Sequence, residues 1–208
     1  MSDENYFSPA KAGKSEVIEK RSRFIGLVLP VDSEEAAKEE TARVKTQYHD
    51  ARHNCWCYTL RGGVERYSDD GEPQGSAGLP MLEILRRNSI QNACCIVTRY
   101  FGGILLGTGG LSRAYSEAAK LALADAGIAE YKQHECMKII CPYSLLGIIK
   151  TNVENANSII EETVYREEVV ISIILPKGQS TAINKRLSDI SAGAVKGIVT
   201  GEKWVAHR

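Results

Sequence analysis

Two glycine-rich runs carry the residues best placed to do chemistry. The first is Ser68-Asp69-Asp70-Gly71-Glu72-Pro73-Gln74-Gly75-Ser76-Ala77-Gly78. The second is Tyr100-Phe101-Gly102-Gly103-Ile104-Leu105-Leu106-Gly107-Thr108-Gly109-Gly110, which leads into Leu111-Ser112-Arg113-Ala114-Tyr115. Asp69, Asp70 and Glu72 offer oxygen ligands for a divalent cation. The competing reading is a turn, because Asp-Gly favours positive φ and short acidic side chains cap neighbouring amides. In the second run, a helix opening at Thr108 or Gly109 would leave the amides of Gly109, Gly110 and Leu111 free at its N-terminus. The dipole favours an anion there, with Arg113 in the first turn. Two stricter motifs fail: Ser112 stands where a dinucleotide fingerprint needs its third glycine, and Thr108 stands where a phosphate loop needs lysine. The run is therefore either an anion seat or a set of glycines that permit tight strand-to-helix packing.

Other catalytic signatures are missing. Gly75-Ser76 is not the Gly-x-Ser-x-Gly elbow of a serine hydrolase. Cys55 and Cys57 are two apart, Cys94 and Cys95 are adjacent, and Cys136 and Cys141 stand alone, so no zinc-type spacing occurs and six buried thiols are expected. No cofactor or metal is expected. His53 is the one histidine near the runs that could serve as acid or base.

The elements that must position these residues follow from patterning. Val17 to Lys20 and Phe24 to Val31 read as strands, with Arg21-Ser22-Arg23 as a basic turn or bulge. Asp32 or Ser33 caps a helix to about Tyr48. Asn54 to Leu60 is a strand with aromatics on one face and His53, Cys55 and Cys57 on the other. Arg61-Gly62-Gly63 turns it into Val64 to Tyr67. Pro80 opens a helix to about Arg87, Ala93 to Thr98 is a buried strand, and the helix after Thr108 runs to about Ala126, where Gly127 stops it. Beyond a polar linker at 129–135, strand Met137 to Cys141, helix Tyr143 to about Asn155, strands Ile159 to Tyr165 and Val169 to Leu175, helix Ser180 to Ile190 and strand Val195 to Trp204 spell βαββαβ, a ferredoxin-like unit. The expected class is α+β, with a flexible arm at 1–14, one domain at 15–128 and a second at 136–208.

Lys plus Arg and Asp plus Glu number 26 each, so no global basic field announces nucleic acid, and any such binding must be local. Hydrophobic residues at 43% and charged residues at 25% are ordinary for a globular chain. The polar start lacks the apolar stretch of a signal peptide and no run suits a membrane span, so a cytoplasmic protein is expected. Oligomeric state is left open.

Tyr67-Ser68-Asp69-Asp70-Gly71-Glu72-Pro73, Gly75-Ser76-Ala77-Gly78, Thr98-Arg99-Tyr100-Phe101-Gly102-Gly103, Leu106 to Leu111 and Arg113-Ala114-Tyr115 resemble the signatures of the YigZ/IMPACT family, and His53-Asn54-Cys55-Trp56 is similar to its preceding strand. The match spans about residues 15 to 127, and the remainder resembles the smaller C-terminal domain of bacterial two-domain members. The resemblance implies an N-terminal α/β domain with a βαβ crossover, similar to domain four of elongation factor G, beside a ferredoxin-like domain similar to its domain five. It also implies a role in translation, through RNA, the ribosome or a translation-regulatory protein. Leu79 and Leu105 stand where many members carry a basic residue. A positive rim is still available from His53, Arg99 and Arg113, with Arg52, Arg86 and Arg87 nearby. The expected anion or RNA site is His53, Asp69, Asp70, Arg99, Gly102, Gly103, Gly109, Gly110 and Arg113. Two alternatives are an enzyme on a small phosphorylated or carboxylated substrate, with His53 as acid/base, and a protein-interaction module presenting Leu79 and Leu105.

Overall fold

The computed structural model describes residues 5–207. The chain forms two compact units, dividing near residue 130, and is mixed α/β with two antiparallel sheets.

The segment expected as a loose arm is largely structured. It contains β1 (Tyr6–Pro9) and the start of β2 (Gly13–Glu19); residues 1–4 lie outside the described part. Phe7 bridges Ile90, and the Phe7 carbonyl accepts from the Gln91 amide at 2.8 Å. β2 pairs with β3 (Ser22–Pro30), Glu19 facing Ser22, so the turn is Lys20-Arg21, both at positive φ. Ser22 and Arg23, read as part of a basic turn, belong to the strand instead. Ser33 caps α1 (Glu34–Gln47), its Oγ accepting from the Ala36 amide. β4 (His53–Leu60) and β5 (Val64–Ser68) form the expected hairpin. α2 (Gly78–Arg87) begins earlier than expected, which places Pro80 third in the helix, where the missing N–H still costs no intrahelical bond. β6 (Ala93–Tyr100) follows, then α3 (Gly107–Ala126).

The first sheet runs β2-β3-β6-β4-β5. β6 lies between β3 and β4 and is antiparallel to both, so β3 and β4 are parallel but not adjacent. The βαβ crossover implied by the resemblance is therefore split by the central strand. Its physical signature is a fully apolar sequence: Ala93 to Val97 is wholly buried, covered on both faces. Cys55, Cys57, Cys95 and Val97 pack with α2 and α3 on one face. On the other, Tyr58, Cys94 and Ile96 pack with Ala37 and Val44 of α1.

The residues read as a linker, 129–135, lie within β7 (Ile128–Cys141). In the second unit, a short 3₁₀ turn (Tyr143–Leu145) leads to α4 (Leu146–Glu154), where a single helix was expected. Then come β8 (Ile159–Tyr165), β9 (Val169–Pro176), α5 (Ser180–Ser191) and β10 (Gly197–His207). β8 pairs with β9, β9 with β7 and β7 with β10, the ferredoxin-like order. Met137, Ile139, Ile171 and Ile173 pack with Ile149 and Val153 of α4 and Ile183 and Leu187 of α5. No helix among the described residues is long and apolar enough to cross a membrane.

Candidate functional site

The first glycine run folds around one carboxylate. Asp69 Oδ2 accepts the Gly75 amide at 2.8 Å, and Oδ1 accepts the amides of Ala77 at 3.0 Å and Gly78 at 2.8 Å. The side chain thus caps α2 from a distance in sequence, where the helix itself supplies no cap. Asp70 and Gly71 both take positive φ, as the turn reading required. Asp70 Oδ1 meets the Lys45 ammonium at 2.7 Å and Oδ2 accepts the Asn54 amide at 2.7 Å. Both aspartates are consumed in holding the loop. Among the described residues no cluster of three metal-ligating side chains occurs.

The third carboxylate behaves differently. Glu72 Oε1 accepts from Arg99 Nη1 at 2.6 Å and from the Tyr115 hydroxyl at 2.9 Å, inside the protein. The Cys55 thiol lies 3.3 Å from the Tyr115 oxygen and 3.0 Å from the Asp69 carbonyl. Burial pushes that thiol up to about 12 and the Tyr115 phenol well above its ordinary value, so both are neutral donors at physiological pH. The Arg99 guanidinium sits between the Phe24 and Phe101 rings, 5.4 Å from each centroid. Its Nη2 reaches Ser22 Oγ at 3.4 Å, while its Nε is buried without a partner.

His53 completes the cluster. Its Nδ1 lies 2.8 Å from the Asp70 carbonyl, which can only accept, so Nδ1 carries the proton. In the neutral tautomer the lone pair is then on Nε2, 4.0 Å from Glu72 Oε1. A carbonyl that fixes the tautomer and leaves the far nitrogen basic is the arrangement general acid/base chemistry uses.

Over this cluster opens a cavity of about 420 Å³. Arg52, His53, Glu72, Arg99, Gly107 and Thr108 supply its polar lining, and Phe101, Leu105, Leu106 and Leu111 an apolar wall. α3 starts at Gly107, one or two residues earlier than its sequence suggested, with no side-chain cap at Leu106. The unpaired amides of its first turn are therefore those of Gly107, Thr108 and Gly109, whereas the Gly110 amide falls in position to bond the Leu106 carbonyl. Arg99 and Glu72 cancel in charge, so exposed Arg52 and the helix dipole leave the cavity net positive.

The sequence-predicted site is divided. His53 and Arg99 line this cavity. Gly110 and Arg113 line a separate one of about 490 Å³ with Val17, Ile84 and Lys120. A side chain at Gly109 would lie 3.7 Å from Arg113 Nη1, so that guanidinium folds back beside the helix start. Gly102 allows a close approach: a Cβ there would lie 2.0 Å from the Arg21 carbonyl carbon, and its amide donates to Ser22 Oγ at 3.1 Å. Gly103 takes φ +83 in the open. Arg86 is engaged by Glu65 and Glu83. Sequence reasoning missed the roles of Tyr115, Ser22, Phe101 and Thr108, and weighed Glu72 only as a cation ligand. The Arg99–Glu72 pairing left no local signal, because the partners are brought together by the sheet.

Fold and site together define a two-unit α/β protein with an anion-compatible cavity in its first unit. Residues 20–123 match the Impact N-terminal domain, and residues 139–194 match a domain of unknown function, DUF1949. The chain belongs to the IMPACT family. It is 34% identical over 191 residues to IMPACT family member YvyE of Bacillus subtilis, covering 91% of this chain and 88% of that one. It is 33% identical over 181 residues to IMPACT family member YigZ of Escherichia coli, covering 85% and 89%. A Dictyostelium discoideum protein, Protein IMPACT homolog, matches at 35% over 97 residues, 44% of this chain and 28% of that one. A crystal structure of a hypothetical protein aligns with a TM-score of 0.64 at 31% identity, covering 94% and 97%.

Proposed function

We propose that the protein is a cytosolic, translation-associated regulator that contacts RNA and holds a phosphate group at the mouth of the cavity lined by His53, Arg99 and the start of α3. The observation that carries the reading is the meeting of a deeply buried arginine with an uncapped helix N-terminus in one cavity. Family membership supports the translational context. The binding surface is local, as the balanced net charge requires.

The test is RNA binding at two salt concentrations. Thr108→Glu places a carboxylate at an exposed first-turn position, where the dipole tolerates it, but opposes an incoming phosphate. It should weaken binding about tenfold, a loss of about 1.4 kcal/mol, with unchanged melting, and Arg52→Ala should lower the salt slope. Arg113→Ala, on the other cavity, should leave affinity within about twofold. Equal affinities and slopes for wild type, Thr108→Glu and Arg52→Ala would remove the reading.

A second reading is an enzyme on a small phosphorylated or carboxylated substrate. It is favoured by His53, whose Nδ1 is fixed by the Asp70 carbonyl and whose Nε2 faces Glu72. Hydrolysis of a generic phosphomonoester, lost in His53→Ala, would support it.

A further inference from the structure

We propose, resting on the RNA reading above, that the cavity receives the 3′-terminal ribonucleotide of an RNA, its diol directed inward and its 5′ phosphate at the mouth. The polar groups are sorted by depth. At the floor, the Glu72 side chain is 4% exposed and that of His53 13%. Both of the hydrogen bonds to Glu72 fall on Oε1, so Oε2 keeps its acceptor capacity, and His53 Nε2 offers a lone pair. Arg52, Gly107 and Thr108 are exposed and supply donors at the rim.

A phosphodiester group has only acceptors and would set oxygen against oxygen at Glu72 and against the His53 lone pair. Ribose hydroxyls donate as well as accept, so they suit Glu72 Oε2 and His53 Nε2 as acceptors. Carboxylates hold ribose hydroxyls in this way in dinucleotide sites. The wall of Phe101, Leu105, Leu106 and Leu111 offers an aromatic and aliphatic surface to a base. A volume of about 420 Å³ accommodates one nucleotide. The direction follows: a phosphate at the mouth continues the strand into solvent, whereas a diol at the floor needs no continuation. Only a 3′ end has that polarity.

The experiment uses the full chain and one RNA sequence, fluorescently labelled away from its 3′ end, with four terminations: a free 2′,3′-diol, a 2′,3′-dideoxy end, a 3′-phosphate and a circle. The diol should bind about tenfold or more tightly than the other three, the scale of hydrogen bonds to charged groups. Thr108→Glu should reduce the diol RNA to the level of the blocked ones. Equal binding of all four would leave the RNA reading standing and overturn recognition of the end. No binding of any would overturn both. A preference for the diol that Thr108→Glu leaves intact would place the recognition elsewhere and overturn the assignment to this cavity.

Discussion

Arg99 and Glu72 meet at 2.6 Å with their side chains 6% and 4% exposed, an ion pair withdrawn from water beneath the candidate cavity. Desolvation of two charges offsets much of their attraction, so the pair is better suited to shaping a site than to stabilising a fold. Glu72→Gln should destabilise the protein by about 3–5 kcal/mol in urea unfolding, because it strands the Arg99 charge. Arg99→Met combined with Glu72→Leu should recover a large part of that loss. A double variant as unstable as the sum of the singles would contradict the pairing.

Asp69 organises its loop through three backbone amides, those of Gly75, Ala77 and Gly78. Asp69→Ala should cost at least about 1.5–3 kcal/mol, since the α2 N-terminus loses a charge-assisted cap. Thermal melts of Asp69→Ala and Asp69→Asn, the second falling between wild type and Ala, check this.

Asp70 gives the stability a pH dependence of defined sign. Burial alone would raise its carboxyl, but Lys45 and the Asn54 amide outweigh burial and hold it below the ordinary 3.8. A folded-state value below the unfolded one adds stability that is complete above 3.8 and disappears as pH falls through the folded value. The stability gap between wild type and Asp70→Asn should be constant near neutrality and narrow in acid. A gap that widens toward low pH would refute the sign.

Cys55, Cys57, Cys94, Cys95 and Cys141 are buried, and only Cys136 is half-exposed. Cys57 faces Cys95 across neighbouring strands, and burial holds the Cys57 thiol well above its usual range. Native alkylation followed by mass spectrometry should modify Cys136 first, the other five reacting only as the protein opens. Rapid labelling of Cys57 would show that the sheet centre is looser than its packing implies.

Much of the fold was legible because the patterns were strong. Ala93 to Val97 announced a buried strand, and Gly127 ended α3 as expected. β1 was not legible: Tyr6–Pro9 is held by hydrogen bonds to residues more than eighty positions away, such as Ser8 Oγ to the Asn92 carbonyl at 3.1 Å. The start of α3 was misplaced because Gly107 has φ +71 and no side-chain cap precedes it. His53 and Arg99 were singled out by residue type and line one cavity, but the direction in which Arg113 leaves the helix was not legible. A glycine string cannot show which side of its own helix a later arginine takes.

The split crossover bears on how the chain is made. β6 is the middle of its sheet, yet it is the last of those five strands to leave the ribosome. Until it emerges, β3 and β4 have no shared neighbour, and β2 also lacks the α3 anchors that reach it from Ala118 and Asp125, more than a hundred residues on. Nascent chains ending before about residue 100 therefore expose unpaired strand edges, and folding of the first unit completes only late in synthesis.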